Sequence, residues 1–359
     1  MASVPIRHQD KCSGDCVAAI ASPLPSGSIA AERPFIAADV GGTHVRIAQV
    51  RAGHTANAPV TLLGYRKYRC ADYASLADIV GHFLSQLDGA PIREGVIASA
   101  GYAIEDGTVI TNNLPWPLSL ADVRHRTGLD ELRLVNDFEA VAYAAAQVNA
   151  SEVLQLAGPD TSGTPSGPIL IVGPGTGLGA AVWIPARSGP VVLPTEAGQS
   201  ALAAGNDVEL DILRHWLRSR AHVPNEHALS GPGLLNLYLA LCELRGIAPR
   251  QSTPGDITAA ALANEDALAR EALDVFCGQL GSTVGDLALA YGIQGGVYLA
   301  GGILPQIREF LINSRFVERF LNKGGMREAL ERIPVKLVEH GQLGVIGAAN
   351  WYLGQRLQH

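Results

Sequence analysis

No apolar run in the 359-residue chain approaches the roughly 18 to 20 residues that a membrane span requires. The longest early candidate, Val17 to Ala21, is short and is followed by Pro23 and Pro25, so a membrane partner is not expected. Basic residues are also scarce: 27 Lys and Arg stand against 34 Asp and Glu, a net charge of -7 spread along the sequence. Without a basic surface to follow a phosphate backbone, a nucleic-acid partner is not expected either. Only five cysteines occur, Cys12, Cys16, Cys70, Cys242 and Cys277, an odd and scattered set. That excludes a disulfide framework and points to a reducing compartment, with the cytoplasm as the expectation. His8, Cys12 and Cys16 could be read as one corner of a metal site, but no second half follows at zinc spacing. Their surroundings favour a disordered leader instead.

What remains is an ordinary globular composition, 47% hydrophobic and 17% charged, in a chain long enough for one large or two medium domains. Residues 1–33 mix Pro, Ser, Gly and Ala without periodicity and read as an N-terminal extension. Phe35 to Asp39 then enters a Gly41-Gly42 turn and Val45 to Val50 leaves it, the pattern of a β-hairpin. A strand over Thr61 to Tyr68 and an amphipathic helix over Ser75 to Leu87 follow. Short apolar runs at Gly95 to Ala100 and Leu132 to Val135 read as buried strands, and Phe138 to Val148 has helical composition. Asn136 and Asp137 therefore fall at a strand-to-helix junction. The outline repeats when Pro168 to Val172 runs into Gly173-Pro-Gly175-Thr176-Gly177-Leu-Gly179 and on into Ala180 to Ile184. Two such hairpins imply related lobes facing each other across a cleft. Helices are expected over Val208 to Arg220, Gly233 to Glu243, Glu265 to Tyr291 and Leu343 to Leu357, with a strand over Gly295 to Ala300 ending in Gly301-Gly302.

Several of these segments carry residue types suited to phosphoryl transfer, and each has a plainer explanation. In Asp39-Val-Gly41-Gly42-Thr43, missing side chains would let backbone N–H groups approach phosphate oxygens, with a hydroxyl and a carboxylate beside them. The alternative is a hairpin turn whose glycines satisfy positive-φ positions. The loop around Thr176 is denser in glycine than a turn requires, but it lacks a Walker ending and leads into a strand, which disfavours a dinucleotide fold. A glycine-rich hairpin would look the same. Asp137, at the mouth of a strand, is placed to accept a proton from an attacking hydroxyl, or else to cap a helix. Glu196 and Glu226 could receive hydrogen bonds from neighbouring sugar hydroxyls, or could be surface acids. The Gly301-Gly302 turn could let an adenine ring lie against backbone, or could simply join a strand to a helix.

In chain order the pieces are D-x-G-G-T, L-V-N-D-F, G-P-G-T-G-L-G, E-A-G, L-S-G-P-G-L and G-G-V-Y-L-A-G-G-I. The ordered set resembles the bacterial glucokinases, within the hexokinase and actin-like ATPase superfamily, over roughly residues 34 to 355. The resemblance implies an α/β fold of two ribonuclease H-like lobes with a cleft between them. The smaller domain would be 34–147, completed by a C-terminal helix in 340–359, and the larger 148–339. It implies ATP as phosphoryl donor, D-glucose as acceptor, Mg2+ as cofactor and a homodimer as the assembly. On it, Asp39, Gly41, Gly42 and Thr43 match the first phosphate motif, with magnesium held by Asp39 through water. Gly175, Thr176 and Gly177 match the second motif, and Gly301 and Gly302 the adenosine motif. Asn136 matches a sugar-binding Asn, Asp137 the catalytic base, and Glu196 and Glu226 two acids that hold sugar hydroxyls. The chain departs from the pattern at Gln199, where the family has a His near the anomeric end of the sugar, and at His44, where relatives carry Asn. Gln retains hydrogen-bonding capacity, so two further readings stay open: a kinase for another hexose, and a sugar- or nucleotide-binding sensor with weak catalysis. Cys242 and Cys277 stand apart from any clustered-cysteine zinc motif, and no basic helix-turn-helix precedes Phe35, which disfavours the regulator relatives.

Overall fold

The computed structural model describes residues 33–55, 58–104, 108–110, 114–145, 148, 152–160, 167–187, 189–339 and 341–356. The expected leader, with His8, Cys12 and Cys16, lies outside them. In chain order the first half contains β1 (Phe35–Val40), β2 (His44–Thr55), β3 (Ala58–Arg69), α1 (Leu76–Ser85) and β4 (Glu94–Ser99). The short strands β5 (Tyr102–Ala103), β6 (Thr108–Ile110) and β7 (Leu118–Ser119) follow, then α2 (Leu120–Thr127), β8 (Glu131–Val135) and α3 (Asp137–Ala145). The second half begins with β9 (Val153–Ala157), β10 (Ile169–Pro174), β11 (Leu178–Ile184) and β12 (Val191–Thr195). Helices α4 (Asp207–Leu217), α5 (Gly231–Arg245), α6 (Pro254–Leu262) and α7 (Ala267–Ala290) come next. The chain closes with β13 (Gly296–Leu299), α8 (Arg308–Asn313), α9 (Phe316–Leu321), α10 (Arg327–Glu331), β14 (Val335–Val338) and α11 (Leu343–Arg356).

Two mixed sheets share one plan. The first runs β3-β2-β1-β4-β8 and the second β12-β11-β10-β13-β14-β9. In each, an antiparallel meander of three strands is extended by two strands parallel to the first of them, β4 and β8 in one sheet, β13 and β14 in the other. The outlying β9 is antiparallel to β14. The central strands are apolar on both faces because both faces are covered. In β1, Ile36, Ala38 and Val40 enter the core with Leu76, Ile79 and Phe83 of α1, while Phe35 and Ala37 pack with Val345, Ala348 and Tyr352 of α11. In β10, Leu170 and Val172 belong to the core under α5 and α7, whereas Ile169 and Ile171 face Ala142, Ala144 and Ala145 of α3.

Helices α3 and α11 thus form the layer between the sheets, and small residues let them cross closely. A Cβ on Gly347 would sit 1.7 Å from the Ala140 carbonyl oxygen. The helix ends follow local chemistry. Ser75 accepts from the Asp78 N–H and Asn206 from the Glu209 N–H, and Gly246 ends α5 at φ 64°. Two observed helix starts differ from the expected ones for this reason: Ser75 is a cap rather than the first helical residue, and α5 starts at Gly231 because Ser230 caps it through the Gly233 N–H.

Candidate active site

Asp39 lies near the end of β1, directly across from Arg46 of β2, whose Nη1 donates to Asp39 Oδ2 at 3.1 Å. Burial pushes the Asp39 carboxyl above its ordinary range and the Arg46 charge pulls it back. The following loop is held by its own backbone: Gly41 N–H donates to the His44 carbonyl at 3.1 Å, Cys70 N–H to Thr43 at 3.0 Å, and the Cys70 thiol to the Gly41 carbonyl at 3.3 Å. Neither Gly41 nor Gly42 has positive φ, so the turn-geometry explanation for these glycines fails. A Cβ on Gly41 would meet nothing closer than the His44 oxygen at 3.6 Å. Packing therefore does not require a glycine there, and Thr43 is exposed beside it.

The second loop sorts its glycines differently. Gly173 is required by packing, because a Cβ would lie 1.8 Å from the Ala300 oxygen, but a Cβ on Gly175 would face open space. The loop is closed by Gly175 N–H donating to Gly177 O at 2.8 Å, leaving Thr176 exposed. Gly301 has φ +116° and backs onto the Pro174 carbonyl, where a Cβ would come within 2.5 Å, whereas Gly302 has free space around it. The strand pair β10 and β13 therefore brings the second loop and the Gly301-Gly302 turn together.

Asp137 opens α3. Asn136 caps the helix, its Oδ1 accepting from Phe138 and Glu139 N–H at 3.0 Å each, and Asp137 Oδ1 accepts from Phe138 N–H at 2.9 Å. Asn136 thus bonds two N–H groups of the first turn, and Asp137 shares one of them through Oδ1. The Asp137 carboxyl is pushed up to about 6, first by burial and then by the negative charges of Asp39 and Glu196, against the pull of the Phe138 N–H. Asp137 therefore lies within electrostatic reach of both Asp39 and Glu196. The Phe138 ring packs against Gly179 of β11, where a Cβ would fall 2.0 Å from it, tying the start of α3 to the second hairpin.

Glu196 is exposed just before a 3-10 turn at Ala197–Gln199, and Glu226, half-buried, sits in a second such turn at Asn225–His227. Gln199 Nε2 donates to Glu226 Oε1 at 2.7 Å, so the departing residue and the acid form a pair. His222, through Nε2, donates to the Gln199 carbonyl at 2.9 Å. The two turns are pinned by buried Asn225, whose N–H donates to Ser200 O and whose Nδ2 donates to Ser200 Oγ, both at 2.8 Å. Sequence reasoning passed over Asn225 and His222. Asn225 directly precedes Glu226, yet an amide beside an acid gives no sign that it will be buried.

Among the described residues no group of three or more His, Cys, Asp or Glu is placed to cage a metal ion. Magnesium carried on nucleotide phosphates needs only one or two carboxylates and keeps several waters, and Asp39 beside the first loop fits that role.

The glucokinase family profile matches residues 36–355. The chain belongs to the glucokinase family. A glucokinase-like protein of Xylella fastidiosa strain 9a5c is 56% identical over 90% of this chain and 95% of its own length. A glucokinase of Saccharophagus degradans is 38% identical over 89% of this chain and 98% of its own. The crystal structure of a glucokinase from an Antarctic psychrotroph superposes with a TM-score of 0.76 at 34% identity, covering 89% of this chain and 98% of that one. A ROK family glucokinase from Streptomyces griseus, solved with glucose and AMPPNP, matches at TM-score 0.60 and 19% identity, a likeness of fold. The glucokinase-family chain thus has the two-lobe actin-like ATPase architecture, and its relatives are sugar kinases.

Proposed function

We propose that this glucokinase-family chain transfers the γ-phosphoryl group of ATP to the 6-hydroxyl of D-glucose. The observation that carries the reading is Asp137: a buried carboxylate at the start of α3, lifted to about 6 first by burial, with the charges of Asp39 and Glu196 adding to it. A base needs a proton affinity high enough to accept from an alcohol yet must be ionised at working pH, and a value near 6 meets both conditions. In the proposed step the sugar oxygen forms a bond to phosphorus, the bond from phosphorus to the β,γ-bridging oxygen breaks, and ADP leaves. The hydroxyl proton passes to Asp137.

The loops at Gly41 to Thr43 and Gly175 to Gly177 would receive the phosphates on backbone N–H groups and hydroxyls, and Gly302 has the open surface an adenine would need. Asp39 would hold magnesium through water, and the ion would supply charge neutralisation at the nucleotide phosphates. Asn136 Nδ2, Glu196, Gln199 and Glu226 would take the sugar hydroxyls. We assign 34–147 with the C-terminal segment 340–359 to a smaller lobe and 148–339 to a larger, closing around the substrates to exclude water.

The test is product analysis. Full-length protein with magnesium, ATP and glucose should yield glucose 6-phosphate in an NADP-linked assay, and faster than it phosphorylates mannose or glucosamine. A faster rate with another hexose would reassign the acceptor. Glucose binding by calorimetry with no phosphate transferred to any sugar would make the chain a sensor.

A further inference from the structure

The loop at Gly41 to Thr43 has a charged border that lies outside its own motif. Strand pairing sets Asp39 of β1 across from Arg46 of β2, Arg46 across from Lys67 of β3, and His44 across from Arg69. Paired residues share a face and alternate along each strand, so these five side chains lie on one face of the first sheet. The next pair on that face, Ala48 and Tyr65, packs with α11, whereas Tyr68 faces the core under α1. Arg69 is also anchored at the loop itself. Its neighbour Cys70 bonds the Thr43 carbonyl through its N–H and the Gly41 carbonyl through its thiol. Burial, and then the charges of Lys67, Arg46 and Arg69, hold the His44 imidazole below its ordinary value, so all three cations act at the mouth of the loop. Arg46 is engaged by Asp39. Lys67 and Arg69 are exposed, and among the described residues neither has an acid within ion-pair distance.

We propose that Lys67 and Arg69 are phosphate-binding residues, a cationic strip on β3 that draws the phosphates of the donor nucleotide to the first loop. The inference rests on the kinase reading and adds to it two residues that no motif in the sequence marks. Its physical basis is the charge balance of the site. Asp137 lies in the field of Asp39 and Glu196, and the chain carries a net charge of -7, so an anionic nucleotide approaching the loop meets repulsion. Two cations on the Asp39 face offset that repulsion where the phosphates must arrive. Exposed charges act over a Debye length of about 8 to 10 Å, and salt weakens them. A plainer role exists for charge on β3, which is an edge strand of its sheet: cations there discourage pairing with another chain. Arg66 separates the two roles. It is exposed on the same strand but on the opposite face, paired with Ile47, so it serves the edge as well as its neighbours do and the loop hardly at all.

The experiment is calorimetry of magnesium-AMPPNP binding to the full chain at low and at high salt. Wild type is compared with Lys67→Gln/Arg69→Gln, with the charge-keeping pair Lys67→Arg/Arg69→Lys, and with Arg66→Gln. At low salt the first variant should bind AMPPNP at least about fivefold more weakly than wild type, and the gap should narrow as salt rises. The charge-keeping pair and Arg66→Gln should stay within about twofold of wild type. Glucose affinity should be unchanged in all of them, which also shows that each variant is folded. The proposal is overturned if Lys67→Gln/Arg69→Gln binds AMPPNP like wild type, if Arg66→Gln loses as much, or if wild-type affinity does not respond to salt. Those results would leave the kinase reading standing, whereas a wild type that binds no AMPPNP at either salt would remove that reading and the strip with it.

Discussion

At the scale of single residues, Asp137 combines a cost with a use. Its folded value of about 6 stands above the ordinary 3.8, so ionising it is harder in the folded protein than in the unfolded chain. The consequence has a definite sign. Relative to a neutral isostere, Asp137 costs nothing below about pH 4, becomes progressively destabilising between about 4 and 6, and levels off above. Asp137→Asn, which keeps an oxygen for the Phe138 N–H, should therefore be more stable than wild type at pH 8, by up to about 2 to 3 kcal/mol, and equal to it near pH 3.5. Denaturant titrations at both pH values check this; equal stability at pH 8 would mean that Asp137 is better solvated than its surroundings imply. The same ionisation should govern turnover, with kcat falling below about pH 6 as the base becomes protonated. Gln199 is the second residue of interest. If its amide sets the acceptor preference through Glu226, Gln199→His should change the ratio of kcat/KM for glucose over mannose by about tenfold or more, while a ratio within twofold would show that position 199 does not read the sugar.

At the scale of elements, the two glycine hairpins were legible in the sequence, but the reasons for their glycines were not. Composition cannot distinguish Gly173, which must lack a side chain because the Ala300 carbonyl lies against it, from Gly41, which has room for one. Substitution should. Gly173→Ala should destabilise the fold by at least about 2 kcal/mol, because backbone has to move. Gly41→Ala should change stability by less than about 0.5 kcal/mol yet raise KM for ATP severalfold. Reversed outcomes would reverse the assignment of the first loop. Long periodic elements such as α1 and α7 were readable because one whole face must be buried. Short ones were not: β5 to β7, β14 and α8 to α10 have too few residues for a period to emerge, and β12, half exposed at a sheet edge, carries little pattern. Asn136 and Asp137 were both visible at their junction, but only coordinates show that Asn136 bonds two N–H groups of the first turn and Asp137 one.

At the scale of the whole molecule, the repeated sheet plan explains why the chemistry falls where it does. Each sheet presents a glycine loop at the turn of its first hairpin, and the α3–α11 layer between the sheets carries Asp137 at one end, within reach of the Asp39 charge on the first sheet and beside Phe138, which packs on Gly179 of the second. The outline of two related lobes could be read from the repeated hairpins, whereas the return of the C-terminal helix to the first lobe was implied only by the resemblance, and its packing against β1, about 300 residues away in sequence, needed the fold. Away from the site, Arg319 and Glu209 form a buried bidentate pair at 2.6 and 3.0 Å that joins α9 to α4. Removing one partner strands the other charge, so Arg319→Met should cost about 3 to 5 kcal/mol in denaturant titrations. A loss under about 1 kcal/mol would show that water reaches the pair. The most direct test of the account is the rate of phosphoryl transfer from ATP to glucose in Asp137→Asn, with glucose affinity measured alongside. The account predicts affinity within a few-fold of wild type and kcat lower by about a hundredfold to ten-thousandfold; an unchanged kcat would contradict it.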